Sequence, residues 1–132
     1  MSAARPVRLR DILAFGAVGA GAFLVHFAVV AALVPAGLAP LVANVLGFLA
    51  AFAVSFVGHG RWSFPADGRP VRPALARFAV VAVAGFALNE TAYAVLLRAT
   101  ELDYRVALFL VLAGVAGVTW LAGRYWAFAH RP

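Results

Sequence analysis

Two short basic and aromatic segments are the residues best suited to chemistry in this 132-residue chain. They are Arg61-Trp62 and Arg124-Tyr125-Trp126. A guanidinium can hold a phosphate through two parallel N–H donors, and an indole ring suits the headgroup level of a membrane or the apolar face of a sugar. Such pairs also anchor helix ends in membrane proteins generally. Because the pattern recurs in both halves, we predict a paired phosphate or headgroup site formed by Arg61, Trp62, Arg124 and Trp126.

A second group of polar side chains lies within long apolar runs. Glu90 is the most informative, because a carboxylate at the centre of a bilayer costs at least ~2.5 kcal/mol on insertion scales. It either fixes packing through a hydrogen bond to a neighbouring helix or takes part in proton coupling or substrate contact, with His26 as a candidate partner. We predict a polar path through the membrane lined by His26, Asn44, Ser55, Asn89 and Glu90.

Small and polar residues recur at helical spacing in every apolar run, so each helix is expected to carry one small-residue face. Close helix packing explains such faces, because small side chains let helices approach in lipid. Lining of a partly hydrated groove is the alternative, and both can hold. The residues are Gly19, Ala22 and His26; Asn44, Gly47, Ala51 and Ser55; Ala82, Gly85 and Asn89; and Ala113, Gly117, Trp120 and Arg124.

Several chemistries are disfavoured by what the sequence lacks. The chain has no cysteine, which excludes disulfides, thiolate nucleophiles and Cys-based metal sites. Its three histidines show no metal-site spacing, and no phosphate-binding loop of the G-x-x-x-x-G-K-[ST] kind occurs. Four of the five acidic residues lie outside the apolar runs, so no intramembrane carboxylate pair exists. We therefore expect no enzymatic activity, no metal and no cofactor.

Composition places the chain in a membrane, since 65% of its residues are hydrophobic and only 12% are charged. Four apolar runs, at about 12–34, 41–57, 78–97 and 106–123, each approach the ~20 residues that a spanning helix needs. The first run is too long for a signal-peptide core and is expected to be retained. We predict an all-α integral membrane protein, a single domain over 1–132 with four transmembrane helices arranged as two helical hairpins.

The basic residues predict how those helices are oriented. All eleven are arginines, and they flank the apolar runs, which favours a membrane protein over a nucleic-acid binder. Nine lie on the side of both termini and the central loop, whereas only Arg98 and Arg105 lie on the other side. By the positive-inside rule, both termini are expected to be cytoplasmic.

The two hairpins resemble each other in sequence. An offset of 63 aligns Phe23 with Phe86 and His26 with Asn89, and an offset of 64 aligns the segments 55–64 and 119–128. We therefore predict a tandem duplication, with repeat one at about 12–64, a cytoplasmic linker at about 65–76 and repeat two at about 77–128. Because each copy has an even number of crossings, the copies are expected to be parallel rather than inverted.

The ends of the second and fourth runs carry a more specific signal. They read SFVGHGRWSF over 55–64 and TWLAGRYWAF over 119–128. The chain resembles the GtrA-like family of small four-span bacterial membrane proteins, in which spans two and four end in a pattern close to Asn-Phe-x-x-x-Arg-x-Trp-x-Phe. Arg124 keeps the position of the family arginine, whereas Arg61 lies one residue later, and Ser55 and Thr119 replace the asparagines.

The resemblance implies a role in cell-surface polysaccharide synthesis or glycosylation at the bacterial cytoplasmic membrane. Its members are thought to move polyprenyl-phosphate-linked sugars across that membrane, so the expected partners are such a lipid and membrane lipids, with no nucleic acid. The main alternative is a membrane anchor or accessory subunit for a glycosyltransferase. A small cation exporter is a weaker alternative. Exporters of that kind carry their membrane glutamate in the first span, whereas this chain has His26 there and Glu90 in the third. A homodimer or larger assembly is compatible with a bundle this narrow.

Overall fold

In the computed structural model, the backbone is described for residues 8–58 and 71–128, and side chains for 8–58 and 79–118. These segments form four α-helices: α1 (Leu9–Leu33), α2 (Pro40–Gly58), α3 (Val71–Ala99) and α4 (Tyr104–Phe128). The described segments contain no strand. The prediction of an all-α fold is confirmed.

Three helices are long and apolar enough to cross a membrane: α1, α2 and the Ala79–Ala99 part of α3. In α4, the apolar stretch whose side chains are described is Tyr104–Val118. Large apolar side chains point outward along these helices; Val80 is 69% and Val81 68% exposed. Such a surface suits lipid rather than water.

Helices α1 and α2 form a tight antiparallel hairpin around the turn 34–39. Gly37 has φ of 108°, a conformation that favours glycine, and its N–H donates to Val34 O at 3.1 Å. Pro40 then begins α2, at the position where a missing N–H costs nothing. The helices pack closely because Gly58 lies against Val18, where an added Cβ would approach Val18 Cγ1 to 2.8 Å.

Helices α3 and α4 extend beyond the apolar runs that predicted them. α3 begins at Val71, seven residues before the predicted run, and its length of 29 residues corresponds to about 43 Å, more than the ~30 Å hydrocarbon core requires. Hydropathy marks the part of a helix that lies in lipid, not where the helix ends. Asp103 caps the start of α4, since its Oδ1 accepts from Arg105 N at 2.9 Å.

The apolar core lies at the end of the bundle that holds the two helix-to-helix turns. Its buried members are Val30, Ala43, Tyr93, Ala107, Leu108 and Val111. Two aromatic pairs cross between the hairpins: Phe23 packs edge-on against Phe109 with ring centroids 5.8 Å apart, and Phe48 stacks on Phe86 at 4.4 Å. These contacts join α1 to α4 and α2 to α3.

Candidate functional site

Four polar side chains from three helices meet inside the bundle, and we call them the polar cluster. His26 comes from α1, Asn44 from α2, and Asn89 and Glu90 from α3. Asn44 is fully buried, His26 and Asn89 are each 5% exposed, and Glu90 is half-buried. The structure thus brings together four of the five residues predicted to line a polar path.

Asn44 is the centre of the polar cluster. Its Nδ2 donates to Asn89 Oδ1 at 2.8 Å and to Glu90 Oε2 at 2.6 Å, while its Oδ1 lies 2.6 Å from His26 Nε2. Because Oδ1 can only accept, Nε2 of His26 must carry the hydrogen and donate it. The amide therefore uses both of its N–H groups and one lone pair, and it connects α1 and α3 through α2.

The sequence suggested His26 as a partner for Glu90, and the structure corrects that pairing. Asn44 lies between the two side chains, and each bonds to Asn44. The side-chain amide of Asn44 bonds His26 and Glu90 at once. The alignment of the two repeats related His26 to a residue of α3 and contained no information about α2. The second oxygen of Glu90, Oε1, has no hydrogen bond within the described part of the chain.

The hairpin geometry explains why Asn44 reaches His26. His26 lies eight residues before the turn 34–39 and Gly47 eight residues after it, so the two face each other across the α1–α2 contact. Gly47 leaves the space that His26 fills: an added Cβ would lie 2.8 Å from His26 Cδ2 and 2.9 Å from His26 O. Asn44 is almost one turn from Gly47 on the same face.

The polar cluster lies in the half of the bundle nearest the two turns. Asn44 is four residues from the start of α2, and Glu90 is nine residues from the end of α3. At 1.5 Å per residue these offsets correspond to about 6 Å and 13 Å along the helices. A polar group at that depth must find its hydrogen-bond partners within the protein, because lipid supplies none.

Comparison with known proteins identifies the family. Residues 14–128 match the family model described as GtrA/DPMS, transmembrane domain. The chain belongs to this family. The match includes every residue of the polar cluster and both arginine and tryptophan segments. The GtrA/DPMS family is associated with the handling of lipid-linked sugars. No curated protein and no solved structure gives a significant match.

The predicted phosphate-binding residues of this GtrA/DPMS domain lie outside the part whose side chains are described. Arg61 and Trp62 follow Gly58, the last residue of α2, by three and four residues. Arg124 and Trp126 belong to the last two turns of α4, which continues to Phe128. Their predicted roles remain predictions.

Ser55 is the one residue of the predicted path that does not join the polar cluster. It is half-buried on α2, eleven residues from Asn44, which is about 16 Å along the helix. Helical spacing places the two residues on one face of α2, but at this separation Ser55 cannot contact the polar cluster. Ser55 therefore lies nearer the end of α2 that leads to Arg61.

The small-residue faces differ from helix to helix. On α2, Gly47 and Ala51 are both buried, and Gly47 lies against His26 and Val30 of α1, which agrees with close packing. Gly19, Gly85 and Gly117 instead have nothing within 4 Å of an added Cβ. Helical spacing alone could not distinguish these cases, because it does not show which face a neighbouring helix covers.

Asp103 lies outside the membrane-spanning segments, and its carboxyl has a lowered pKa. Asp103 precedes α4 and accepts hydrogen bonds from the side chain and backbone of Arg105, which lower the pKa of its carboxyl. The side-chain bond, from Arg105 Nε to Asp103 Oδ1, measures 3.1 Å and is exposed. This pair fixes the start of α4.

Proposed function

We propose that this GtrA/DPMS transmembrane domain moves a polyprenyl-phosphate-linked sugar across the bacterial cytoplasmic membrane, for cell-surface polysaccharide synthesis or glycosylation. The observation that carries the proposal is the polar cluster itself, in a chain of this family. Glu90 is half-buried and offers a further acceptor oxygen at a depth where a sugar hydroxyl would otherwise meet only hydrocarbon.

The proposed path begins at the cytoplasmic surface. Arg124, together with Arg61, collects the lipid phosphate there, while Trp62 and Trp126 set the depth of the headgroup. The sugar then passes Ser55 and the polar cluster, and the polyprenyl tail stays in lipid. Ser55 and the cluster, separated by about 16 Å on α2, would provide successive polar contacts.

The energy source follows from the charge of the cargo. No phosphate-binding loop of the ATPase kind occurs in the chain. An inside-negative potential favours outward movement of a singly negative lipid by about 2.3 kcal/mol per 100 mV, if the charge crosses the whole field. Passive movement assisted by the potential is therefore sufficient.

The proposal includes a tandem duplication with both chain ends in the cytoplasm. Two features support the duplication. Val30 and Tyr93, 63 residues apart, are both fully buried, and so are Ala43 and Ala107, 64 residues apart. Phe23 and Phe86, which the repeat aligns, each pack on an aromatic ring of the other hairpin. The count of nine arginines against two supports the orientation.

A membrane anchor or accessory subunit for a glycosyltransferase is the second candidate. One observation favours it: His26, Asn44 and Asn89 satisfy one another, so most of the polar cluster needs no substrate. A buried network of this kind holds helices together without transporting anything. An anchor would work without moving lipid, which gives a clear test.

The test uses the purified full chain in liposomes with a labelled polyprenyl-phosphate sugar in one leaflet. We expect the wild type to move label to the opposite leaflet, Arg124→Ala to move it at least about tenfold more slowly, and Arg131→Ala, which removes the same charge elsewhere, to be close to wild type. Correct insertion of each variant is checked by protease accessibility. Label that stays in its leaflet with wild-type protein would support the anchor; equal rates for Arg124→Ala and wild type would refute phosphate capture by Arg124.

A further inference from the structure

A groove lies alongside the contact of Val18 with Gly58, where the N-terminal half of α1 meets the C-terminal end of α2. Its volume is about 290 Å³, and it is lined by Ala14, Ala17, Val18, Gly21, Val54 and Gly58. Every lining side chain is apolar or absent. The groove lies at the opposite end of the hairpin from the polar cluster, on the side that leads to the arginines of the N-terminus.

Arg10 lies one helical turn before the first lining residue of the groove, on the same face of α1. It precedes Ala14, Ala17 and Gly21 by four, seven and eleven residues, which places each of the three within about 40° of Arg10 around the helix at 3.6 residues per turn. Because Cβ atoms tilt toward the helix N-terminus, the exposed Arg10 side chain extends toward the membrane surface. In the described part of the chain, no carboxylate forms an ion pair with it.

We propose that this groove binds the phosphate-proximal isoprene units of a polyprenyl phosphate, with Arg10 holding the phosphate. The proposal rests on the proposed function and refines it: Arg10 joins Arg61 and Arg124 as a contact for the phosphate, and only the part of the polyprenyl tail beyond the groove stays in lipid. Charge complementarity selects an anionic lipid, since the apolar lining of the groove on α1 is followed, one turn nearer the N-terminus, by the guanidinium of Arg10. The missing side chain at Gly21 and the methyl groups at Ala14 and Ala17 leave room for the methyl branches of an isoprenoid chain.

The chain offers matched control positions on α1. Gly19 and Gly21 both have nothing within 4 Å of an added Cβ, so either position accepts a side chain without a clash at Cβ. Gly21 lines the groove, whereas Gly19 lies about 180° from Arg10 around the helix. Arg8, the N-cap residue of α1, carries the same charge two residues before Arg10 and is not part of the groove lining, so it is the control for Arg10.

Binding is measured by native mass spectrometry of the full chain in detergent, with polyprenyl phosphate as the probe. We expect Gly21→Leu to weaken binding about tenfold and Gly19→Leu to leave it unchanged. Arg10→Ala is expected to weaken binding of polyprenyl phosphate by a similar factor but not binding of the uncharged polyprenol, whereas Arg8→Ala changes neither. Equal binding by Gly21→Leu and Gly19→Leu would overturn the proposal.

Other occupants give different results in the same experiment. If phosphatidic acid, which has unbranched chains, competes as well as polyprenyl phosphate, the groove is a general phospholipid cleft and the isoprenoid assignment is wrong. If Gly21→Leu changes the oligomeric mass without changing lipid binding, the occupant is a second copy of the chain. The binding assay does not depend on transport. If Gly21→Leu and Arg10→Ala weaken binding while the wild-type chain moves no lipid in liposomes, the groove is supported and translocation is rejected.

Discussion

Replacing Asn44 by Leu tests whether the polar cluster holds the three helices together. Leucine fills a similar volume but removes three hydrogen bonds, to His26, Asn89 and Glu90. Hydrogen bonds between membrane helices contribute on average ~0.6 kcal/mol each and at most ~1.7 kcal/mol. We therefore expect Asn44→Leu to lower the free energy of unfolding by about 2 to 5 kcal/mol, the upper part of the range reflecting partners that stay buried without a hydrogen bond.

The assay is unfolding of the purified chain in mixed micelles by increasing SDS, followed by circular dichroism. Val45→Ala is the control, since Val45 is the neighbour of Asn44 in α2 and is 38% exposed. A double-mutant cycle with Asn89→Leu is expected to be non-additive, because both single changes remove the same bond. A loss for Asn44→Leu within about 0.5 kcal/mol of the loss for Val45→Ala would show that the cluster contributes nothing to helix association.

Three further predictions concern single sites. Gly47→Ala is expected to destabilise the hairpin by about 1 to 3 kcal/mol in the same unfolding assay, because its Cβ would lie 2.8 Å from an α1 side chain, whereas Gly19→Ala has open space and is not expected to destabilise; equal effects would contradict the close approach. Tyr93→Phe is expected to lower the free energy of unfolding by about 0.5 to 1.5 kcal/mol, because the buried hydroxyl donates to the backbone carbonyl of Tyr104 at 3.2 Å. An unchanged free energy of unfolding would show that this hydrogen bond does not stabilise the fold. Carboxyl NMR is expected to show Asp103 with a pKa below the usual ~3.9, and Arg105→Ala is expected to raise that pKa. The contribution of Asp103 to the stability of α4 is therefore fully present above about pH 3.9 and is lost as the pH falls through the lowered pKa. A carboxyl that titrates at its usual value would contradict the pair.

The helices were predictable from the sequence, but their ends were not. Apolar runs of about 20 residues located all four helices, because lipid requires both the composition and the helical backbone. The runs missed the first seven residues of α3, which are helical although they lie outside the apolar run. Pro73, in the first turn, is compatible with that extension, since a proline there loses no intrahelical bond.

The sequence predicted which residues belong to the polar cluster, but not which of them form hydrogen bonds with one another. A polar residue in an apolar run is costly, so His26, Asn44, Asn89 and Glu90 were visible as residues that need partners. The turn 34–39 also carried a usable signal, because residues equally far from a helical turn face each other and Asn44 falls near His26 by that rule. The contact of α3 with α2 could not be predicted from the sequence. It depends on how the two hairpins pack against each other, and no short turn between them fixes which residues meet.

Translocation itself is tested most directly by the distribution of a labelled polyprenyl-phosphate sugar between the leaflets of liposomes that contain the wild-type chain and no other protein. With a potential of 100 mV, inside negative, we predict that the label equilibrates within the experiment and favours the outer leaflet by about 50-fold, the ratio that corresponds to about 2.3 kcal/mol for one charge crossing the whole field. Label that redistributes as slowly as in protein-free liposomes, at any potential, would contradict translocation.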